Sequence, residues 1–278
     1  MRLGIFAKTF RREGLNETLD AVLDSGLQTI QFNLALSGGP PLPGEISAGL
    51  AARVVEETEH RGLAIAAVSG TYNMAHPDPG VRADGERRLE VLIAAAPAMG
   101  IPVVTLCTGS RDAADMWRRH PDNGSPEAWR DMREALERAL PLAEARGVTL
   151  AIEPERNNVV DGAAAARRLL DELRSTQLKV VIDAANLFSN DDLNLQSEIL
   201  REAFGVLGDD LVLAHAKDVR NDGTIVAAGR GNLDYELYLT LLRDAAPGIA
   251  LILHGLAETE VAGSVSFLEA GLARTAAA

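Results

Sequence analysis

Cysteine is almost absent from this 278-residue chain. Cys107 is the single instance, so an internal disulfide and a cysteine-ligated zinc site are both excluded. No apolar run approaches the ~20 residues that a membrane-spanning helix needs. The stretch MRLGIFAKTFRREG becomes charged too early for a signal peptide, so we expect a cytoplasmic protein in a reducing environment.

Aromatic residues and positive charge are also scarce. Aromatics make up 4% of the chain, which leaves leucine, valine, isoleucine and alanine to fill a core. Lysine and arginine total 27 against 40 acidic residues, a net charge of -13. Such a surface repels nucleic acid and anionic lipid, so neither nucleic acid nor membrane is an expected partner. Nothing in the pattern specifies an oligomer, and a homo-oligomer stays open.

The apolar residues that are present form short runs separated by longer amphipathic segments. These runs are continuous in valine, isoleucine, leucine and alanine, which is typical of parallel strands covered on both faces. Eight of them begin at Arg2, Thr29, Leu63, Pro102, Val148, Leu178, Leu211 and Ile249. The pattern predicts a single-domain α/β fold over residues 1–278, a (β/α)8 TIM barrel, for which ~250 residues is typical. A doubly wound sheet is the alternative, but no glycine-rich turn follows the first run.

Four successive predicted strands end in side chains that can bind metals. Glu153, Asp183, His215 and His254 end strands five to eight, each about one strand–helix unit from the next. Strand ends meet at one face of a barrel, so these groups are predicted to converge. Two carboxylates and two imidazoles suit Mn, Zn, Co or Fe better than Mg or Ca. We therefore predict one divalent metal ion held by all four.

Alternation along the strands adds catalytic candidates. Residues two apart face the same way, so Glu155 shares a face with Glu153, and Lys217 shares one with His215. We predict Glu153, Glu155 and Lys217 as catalytic groups that act as acid, base or charge stabiliser. A structural ion pair of Lys217 with Asp218 or Glu155 is the alternative.

Loop residues near the same rim suggest a small polyhydroxy substrate. Aromatic rings stack on sugar faces, imidazoles and amides bind hydroxyls, and an arginine can hold a carboxylate or phosphate. The predicted substrate-binding residues are His76, Arg111, Trp117, His120 and Asn186. The alternative for the loop residues is a solvated position without a ligand, and for Asn186 a cap on the following segment.

These motifs together resemble the xylose-isomerase-like barrels, a family of sugar-phosphate isomerases and epimerases. The likeness rests on AIEPERNN, VVIDAANLF, LAHAKDVRNDG and GRGNLDY. It implies one divalent metal, often Mn, at the ends of strands five to eight. It also implies 1,2-proton transfer or epimerisation on a ketose or related sugar. Glu153, Asp183 and His215 match three of the family's metal positions.

The chain departs from the resemblance at two positions. At the position of His254 the family has a glutamate, which often serves as a second proton-transfer base. At the position of Asn186 the family frequently has a histidine. Glu258 is a candidate substitute ligand. One-base isomerisation by Glu153 or Lys217, elimination of water as in inosose dehydratases, and sugar binding without turnover all stay open. Abasic-site nuclease activity is disfavoured, because it needs more metal ligands and the charge of -13 opposes DNA binding.

Overall fold

Strands and helices alternate along the computed structural model, which describes residues 1–188 and 192–277. The strands are β1 (Arg2–Phe6), β2 (Thr29–Phe32), β3 (Ala64–Ser69), β4 (Val103–Cys107), β5 (Thr149–Glu153), β6 (Leu178–Asp183), β7 (Leu211–Val219), β8 (Ile225–Ala227) and β9 (Ala250–Leu253). The helices are α1 (Leu15–Asp24), α2 (Ala48–His60), α3 (Pro79–Ala95), α4 (Pro126–Arg146), α5 (Ala163–Leu173), α6 (Gln196–Leu207), α7 (Tyr235–Ala245) and α8 (Val261–Ala277).

Eight of the strands are parallel and close into a barrel. Strands β1 to β6 pair in chain order, β1 pairs with β9, β9 with β7, and β7 with β6, which completes the circle. Each predicted apolar run contains one barrel strand, so the prediction of a (β/α)8 barrel is confirmed. Within the described ranges, no helix combines the length and apolarity needed to cross a bilayer.

The short strand β8 was not predicted. Strand β7 continues to Val219 and then turns back, so that Lys217 pairs with Ala227 and Val219 with Ile225 in antiparallel register. A strand of three residues is too short to produce a recognisable apolar run. The resulting hairpin extends from the carboxyl-terminal face of the barrel.

The barrel interior is filled by alternate residues of the strands. One buried cluster contains Phe6, Ala67, Val103, Ala151, Val181, Leu213, Ala250 and Ile252. Residues of the opposite parity, such as Ile152 and Ile182, pack outward in the larger core shared with the helices. Because side chains alternate with a period of two, the next inward position on several strands lies at the carboxyl-terminal rim. The polar groups predicted from the sequence occupy these rim positions.

A buried carboxylate holds the turn that follows the hairpin. Asp218 accepts backbone hydrogen bonds from Val219 at 2.8 Å, Gly229 at 3.1 Å, Gly231 at 2.9 Å and Leu233 at 2.9 Å. A Cβ at Gly231 would lie 2.3 Å from Asp218 Oδ1, so only glycine fits there. The amide groups of the GRGN turn are therefore used within the protein.

We expect Asp218→Asn to destabilise the fold by about 2 kcal/mol, because a neutral amide replaces a charged acceptor and its NH2 group faces backbone donors. Urea unfolding followed by circular dichroism measures the change. Asp222→Asn is the matched control, because Asp222 is an exposed residue of the same hairpin that accepts one backbone bond from Thr224. Equal stability of the two variants would contradict the role given to Asp218.

Candidate active site

The predicted metal ligands lie at the carboxyl-terminal mouth of the barrel. Glu153 and Asp183 are the last residues of β5 and β6, His215 lies within β7, and His254 directly follows β9. Each continues the inward parity of the interior cluster, since Ala151, Val181, Leu213 and Ile252 precede them by two residues. The register Asp183 to His215 across β6 and β7 brings these two side chains to the same level.

Three of the four predicted ligands form a compact group. Asp183, His215 and His254 each offer one potential metal-ligand atom, and these three atoms lie within 4.8 Å of one another. Glu153 stands beside this group, and its Oε1 lies 3.1 Å from His215 Nδ1. Asn186 Nδ2 donates to the same Glu153 oxygen at 2.8 Å. Asn186 therefore orients the carboxylate of Glu153 in this structure.

Lys217 is the positive charge of the site. Its Nζ lies 2.7 Å from Asp183 Oδ2 and 3.5 Å from Glu153 Oε1. Burial lowers the pKa of Lys217, but the charges of Asp183 and Glu153 outweigh burial and hold the pKa above its usual value. Lys217 therefore stays protonated, which suits a charge stabiliser and not a base. Its partners are Asp183 and Glu153, and not Asp218, whose carboxylate points to the glycine turn.

Glu153 is kept ionised by its neighbours. Burial raises the pKa of Glu153, whereas its electrostatic interactions with His215 and Lys217 and its hydrogen bond with His215 lower it. The lowering effects win, so the pKa of Glu153 lies well below its usual value. The carboxylate is thus available as an anion in the neutral pH range.

His254 is a neutral imidazole. Burial lowers its pKa well below the usual value, and its electrostatic interactions with Lys217 and His215 act in the same direction. Its ring lies 4.8 Å from the ring of His215 and 5.1 Å from that of Phe6, measured between centroids. In its neutral form it offers a lone pair, which is the form that binds metals.

Glu155 lies close to these charges but is less constrained. Its side chain is half-buried and makes no ion pair within 4 Å in the parts of the chain that are described. Burial raises the pKa of Glu155, Lys217 lowers it, and the negative charges of Glu153 and Asp183 raise it, with a result of about 7. A carboxyl group with this pKa can both accept and donate a proton near neutral pH.

A metal-binding role fits the residues that are present. His254 Nδ1 is buried and lacks a hydrogen-bond partner among the described residues, whereas Asp183 Oδ2 is paired with Lys217 Nζ at 2.7 Å. His215 Nε2 lies 2.7 Å from Gln31 Oε1 and its Nδ1 lies 3.1 Å from Glu153 Oε1, so both ring nitrogens face oxygen atoms. A divalent cation would bind the carboxylate oxygens and imidazole nitrogens that converge here and would supply the partner that a buried nitrogen lacks.

Gln31 is a site residue that the sequence analysis missed. It lies on β2, is buried, and its Nε2 donates to Thr105 Oγ1 at 3.2 Å. A single amide within an apolar run is its only signal in the sequence. Two tyrosines of α7 were also missed. Tyr235 Oη donates to the carbonyl of Lys217 at 2.7 Å, and Tyr238 Oη lies 2.9 Å from that of His215.

The loops after β3, β4 and β5 are tied together by three asparagines. Asn73 Oδ1 accepts from Ser110 N at 3.0 Å, and Asn158 Oδ1 accepts from Gly109 N at 2.8 Å. Asn123 Nδ2 donates to the carbonyl of residue 157 at 2.7 Å. These bonds fix the backbone on one side of the barrel mouth.

Two of the predicted substrate-binding residues in these loops have partners within the protein. Arg111 forms an ion pair with Asp131 at 2.9 Å and donates to the carbonyl of Ala75 at 3.2 Å. His76 Nδ1 accepts from Asp78 N at 3.0 Å, and its Nε2 lies 3.2 Å from a loop carbonyl. Both residues help to shape the loops, and their role toward a substrate stays a prediction.

Trp117 and His120 lie in the loop between β4 and α4, outside the group around Lys217. Trp117 is exposed. His120 Nδ1 accepts from Asp122 N at 3.2 Å at the start of a short 3-10 turn. Substrate binding by these two residues also stays a prediction. Among the predicted substrate-binding residues, Asn186 has a hydrogen bond to a predicted metal ligand, Glu153.

The sequence matches the family model of the xylose isomerase-like TIM barrel over residues 19–270. The chain belongs to this family. A search of curated proteins gave no significant match.

Several solved structures share the fold. A 3-keto-D-glucoside 4-epimerase of E. coli has a TM-score of 0.77 and 17% identity, covering 97% of this chain and 99% of that one. A D-psicose 3-epimerase of Clostridium cellulolyticum has a TM-score of 0.75 and 15% identity, covering 98% and 99%. The probable 3-DHS dehydratase of Bacillus anthracis has a TM-score of 0.74 and 12% identity, covering 97% and 99%. At these identities the likeness shows the fold alone.

The family has a glutamate ligand at the end of its eighth barrel strand, which is β9 in this chain, and Glu258 was the predicted substitute for it. The structure directs it elsewhere. Arg12 donates two hydrogen bonds to the Glu258 carboxylate, at 2.9 and 2.6 Å. In this structure His254 stands at the end of β9, where the family has its glutamate, and Glu258 is not part of the group of predicted metal ligands.

We expect about one divalent ion per chain in the purified protein, and a fall in metal affinity of at least 10- to 100-fold in His254→Ala, because one donor is lost. Elemental analysis with titration calorimetry measures both. His60→Ala is the control, because His60 is exposed at the end of α2. The proposed metal site would be contradicted if His254→Ala bound the metal as well as the unaltered chain, or if the unaltered chain contained no metal.

We expect Lys217→Met to destabilise the metal-free protein by about 3 kcal/mol and to tighten Mn binding, because two buried carboxylates lose their counter-charge. Urea unfolding and titration with Mn test the two effects. Lys179→Met should cost less than about 1 kcal/mol and leave Mn binding unchanged, since Lys179 pairs with Asp210 in a more exposed setting. Weaker Mn binding by Lys217→Met would contradict the competition between lysine and metal.

Proposed function

We propose that the protein is a divalent-metal-dependent isomerase or epimerase that moves a proton on a sugar or keto-polyol at the carboxyl-terminal face of the barrel. The observation that carries the proposal is that Glu155 and Lys217, which influence each other electrostatically at the mouth of the barrel, differ in protonation. Glu155 is a half-buried carboxyl with a pKa of about 7, and Lys217 is an ammonium held in its charged form. Proton transfer at the carbon next to a carbonyl needs a base that takes the proton and a positive charge that stabilises the carbonyl oxygen.

Glu155 is the group assigned to move the proton. Removing a proton from the carbon next to a carbonyl requires a base whose pKa is near the working pH. Glu153 is a weaker candidate, because its oxygen accepts from Asn186 and contacts His215 and Lys217. The resemblance to the family directed attention to Glu153 and Lys217, and the contacts favour Glu155.

Lys217 and Glu153 support this chemistry through charge. Deprotonation next to a carbonyl places negative charge on the carbonyl oxygen, and a fixed ammonium stabilises that charge. Glu153 in turn helps keep Lys217 protonated, so the charge is present before a substrate binds. The phenols of α7 fix the backbone carbonyls of β7, which limits movement of the strand that carries Lys217.

The residues that would hold the metal are Asp183, His215 and His254, with Glu153 beside them. When bound, a divalent ion polarises a carbonyl or hydroxyl oxygen of the substrate. His254 in place of a carboxylate makes the ligand set less negative by one charge.

Elimination of water by the same site is the second candidate. His254 removes the carboxylate that serves relatives as a second base, which disfavours a symmetric two-base isomerisation. A carboxyl group with a pKa of about 7 is partly protonated at neutral pH, so Glu155 can also protonate a leaving hydroxyl. Incubation with ketoses and keto-inositols, followed by NMR, distinguishes isomers of unchanged mass from products that have lost water.

We expect Glu155→Gln to lower kcat by about 10²- to 10⁴-fold, because an amide cannot accept the proton. Exchange of the substrate's carbon-bound proton in D2O, followed by NMR, measures this step for either reaction. The metal content of the variant should be unchanged.

Glu236→Gln is the control for this experiment, because Glu236 is an exposed carboxylate in the first turn of α7. It should keep full activity. Equal exchange rates in Glu155→Gln and the unaltered protein would remove Glu155 from the reaction. Absence of exchange with every ketose and keto-polyol would remove the proposed function.

A further inference from the structure

A cavity of about 540 Å³ opens beside His254 on the side of the mouth formed by β1 and β9. It is lined on one side by the segment after β1, which includes Lys8, Thr9 and Arg11, and on the other by the segment from His254 to Glu258. Gly255 lines the cavity and packs against Lys217, since a Cβ at this position would lie 3.3 Å from the lysine side chain. The cavity is therefore adjacent to the proposed site.

Two cations in this cavity have no counter-charge. Lys8 and Arg11 are exposed and form no ion pair with any residue that the structure describes. The acidic residue of the lining is Glu258, and Arg12 neutralises it through two hydrogen bonds. The cavity thus carries net positive charge, in a chain whose net charge is -13.

A continuous line of contacts joins Lys8 to the proposed site, and Arg11 lines the same cavity. Lys8 Nζ lies 4.8 Å from the centroid of the Phe6 ring. The Phe6 ring lies 5.1 Å from that of His254, which lies 4.8 Å from that of His215. A ligand that enters the cavity can therefore place one end against His254 and the other near Lys8 and Arg11.

We propose that this cavity binds the anionic group of the substrate, a carboxylate or phosphate carried by a keto-sugar or keto-polyol at the end remote from the reacting carbons. The inference rests on the proposed function, whose substrate class it narrows. Two cations without counter-charges, close to a reaction centre, attract and orient an anion. Thr9 adds a hydroxyl that can donate a hydrogen bond to the same group.

The test compares ligands that differ in charge. Titration calorimetry on the full chain measures binding of D-fructose, D-fructuronate and D-fructose 6-phosphate. We expect at least one of the two anions to bind about tenfold more tightly than D-fructose, and the tighter one identifies the anion as carboxylate or phosphate. The preference should shrink as salt is raised, because both cations are exposed.

The double variant Lys8→Met/Arg11→Met should lose this preference and still bind D-fructose with unchanged affinity. Arg146→Met is the matched control, because Arg146 is an exposed cation without an ion pair in the described chain and ends α4, directly before β5, at the opposite end of the barrel. It should keep the preference. Equal affinity for all three ligands in the unaltered protein, or a preference that survives the double variant, would overturn the inference.

The outcome is separable from that of the proposed function, because binding is measured without turnover. Anion preference in a protein that exchanges no substrate proton would support this inference and remove the proposed function. Proton exchange without anion preference would support the proposed function and overturn this inference.

Discussion

The position of the Lys217 ammonium between two buried carboxylates is the constraint on which the mouth of the barrel depends. Burying the carboxylates of Asp183 and Glu153 close together would be costly without a cation beside them. Lys217 supplies that charge at 2.7 and 3.5 Å, and the two acids in turn keep it protonated. The arrangement still leaves His254 Nδ1 without a hydrogen-bond partner in the described chain.

The fold could be predicted because its signals are regular. Each barrel strand is an apolar run, and period-two alternation correctly placed His215 and Lys217 on one inward face. The same alternation explains why Asp218 is not the partner of Lys217, since adjacent strand residues point to opposite sides. Asp218 instead accepts hydrogen bonds from the glycine turn that follows its own hairpin, a contact that strand parity does not specify.

The site was less predictable where it depends on contacts between distant segments. Gln31 lies within an apolar run, and nothing local indicates that its amide meets His215 from the other side of the barrel. Arg111 has the chemistry of an anion-binding residue, but α4 supplies Asp131 as its partner. Lys8 and Arg11 follow the first strand without a motif, and only the folded chain shows that they share a cavity with His254.

The asparagines that tie together the loops after β3, β4 and β5 divide the entrance into two unlike halves. On their side the backbone is cross-linked through Asn73, Asn123 and Asn158 and forms a rigid wall. On the opposite side the segments after β1 and β9 are joined by the exposed pair of Arg12 and Glu258, which water and salt weaken. New substrate preferences would therefore arise most readily from changes in residues 7–14 and 255–260, with the wall left intact.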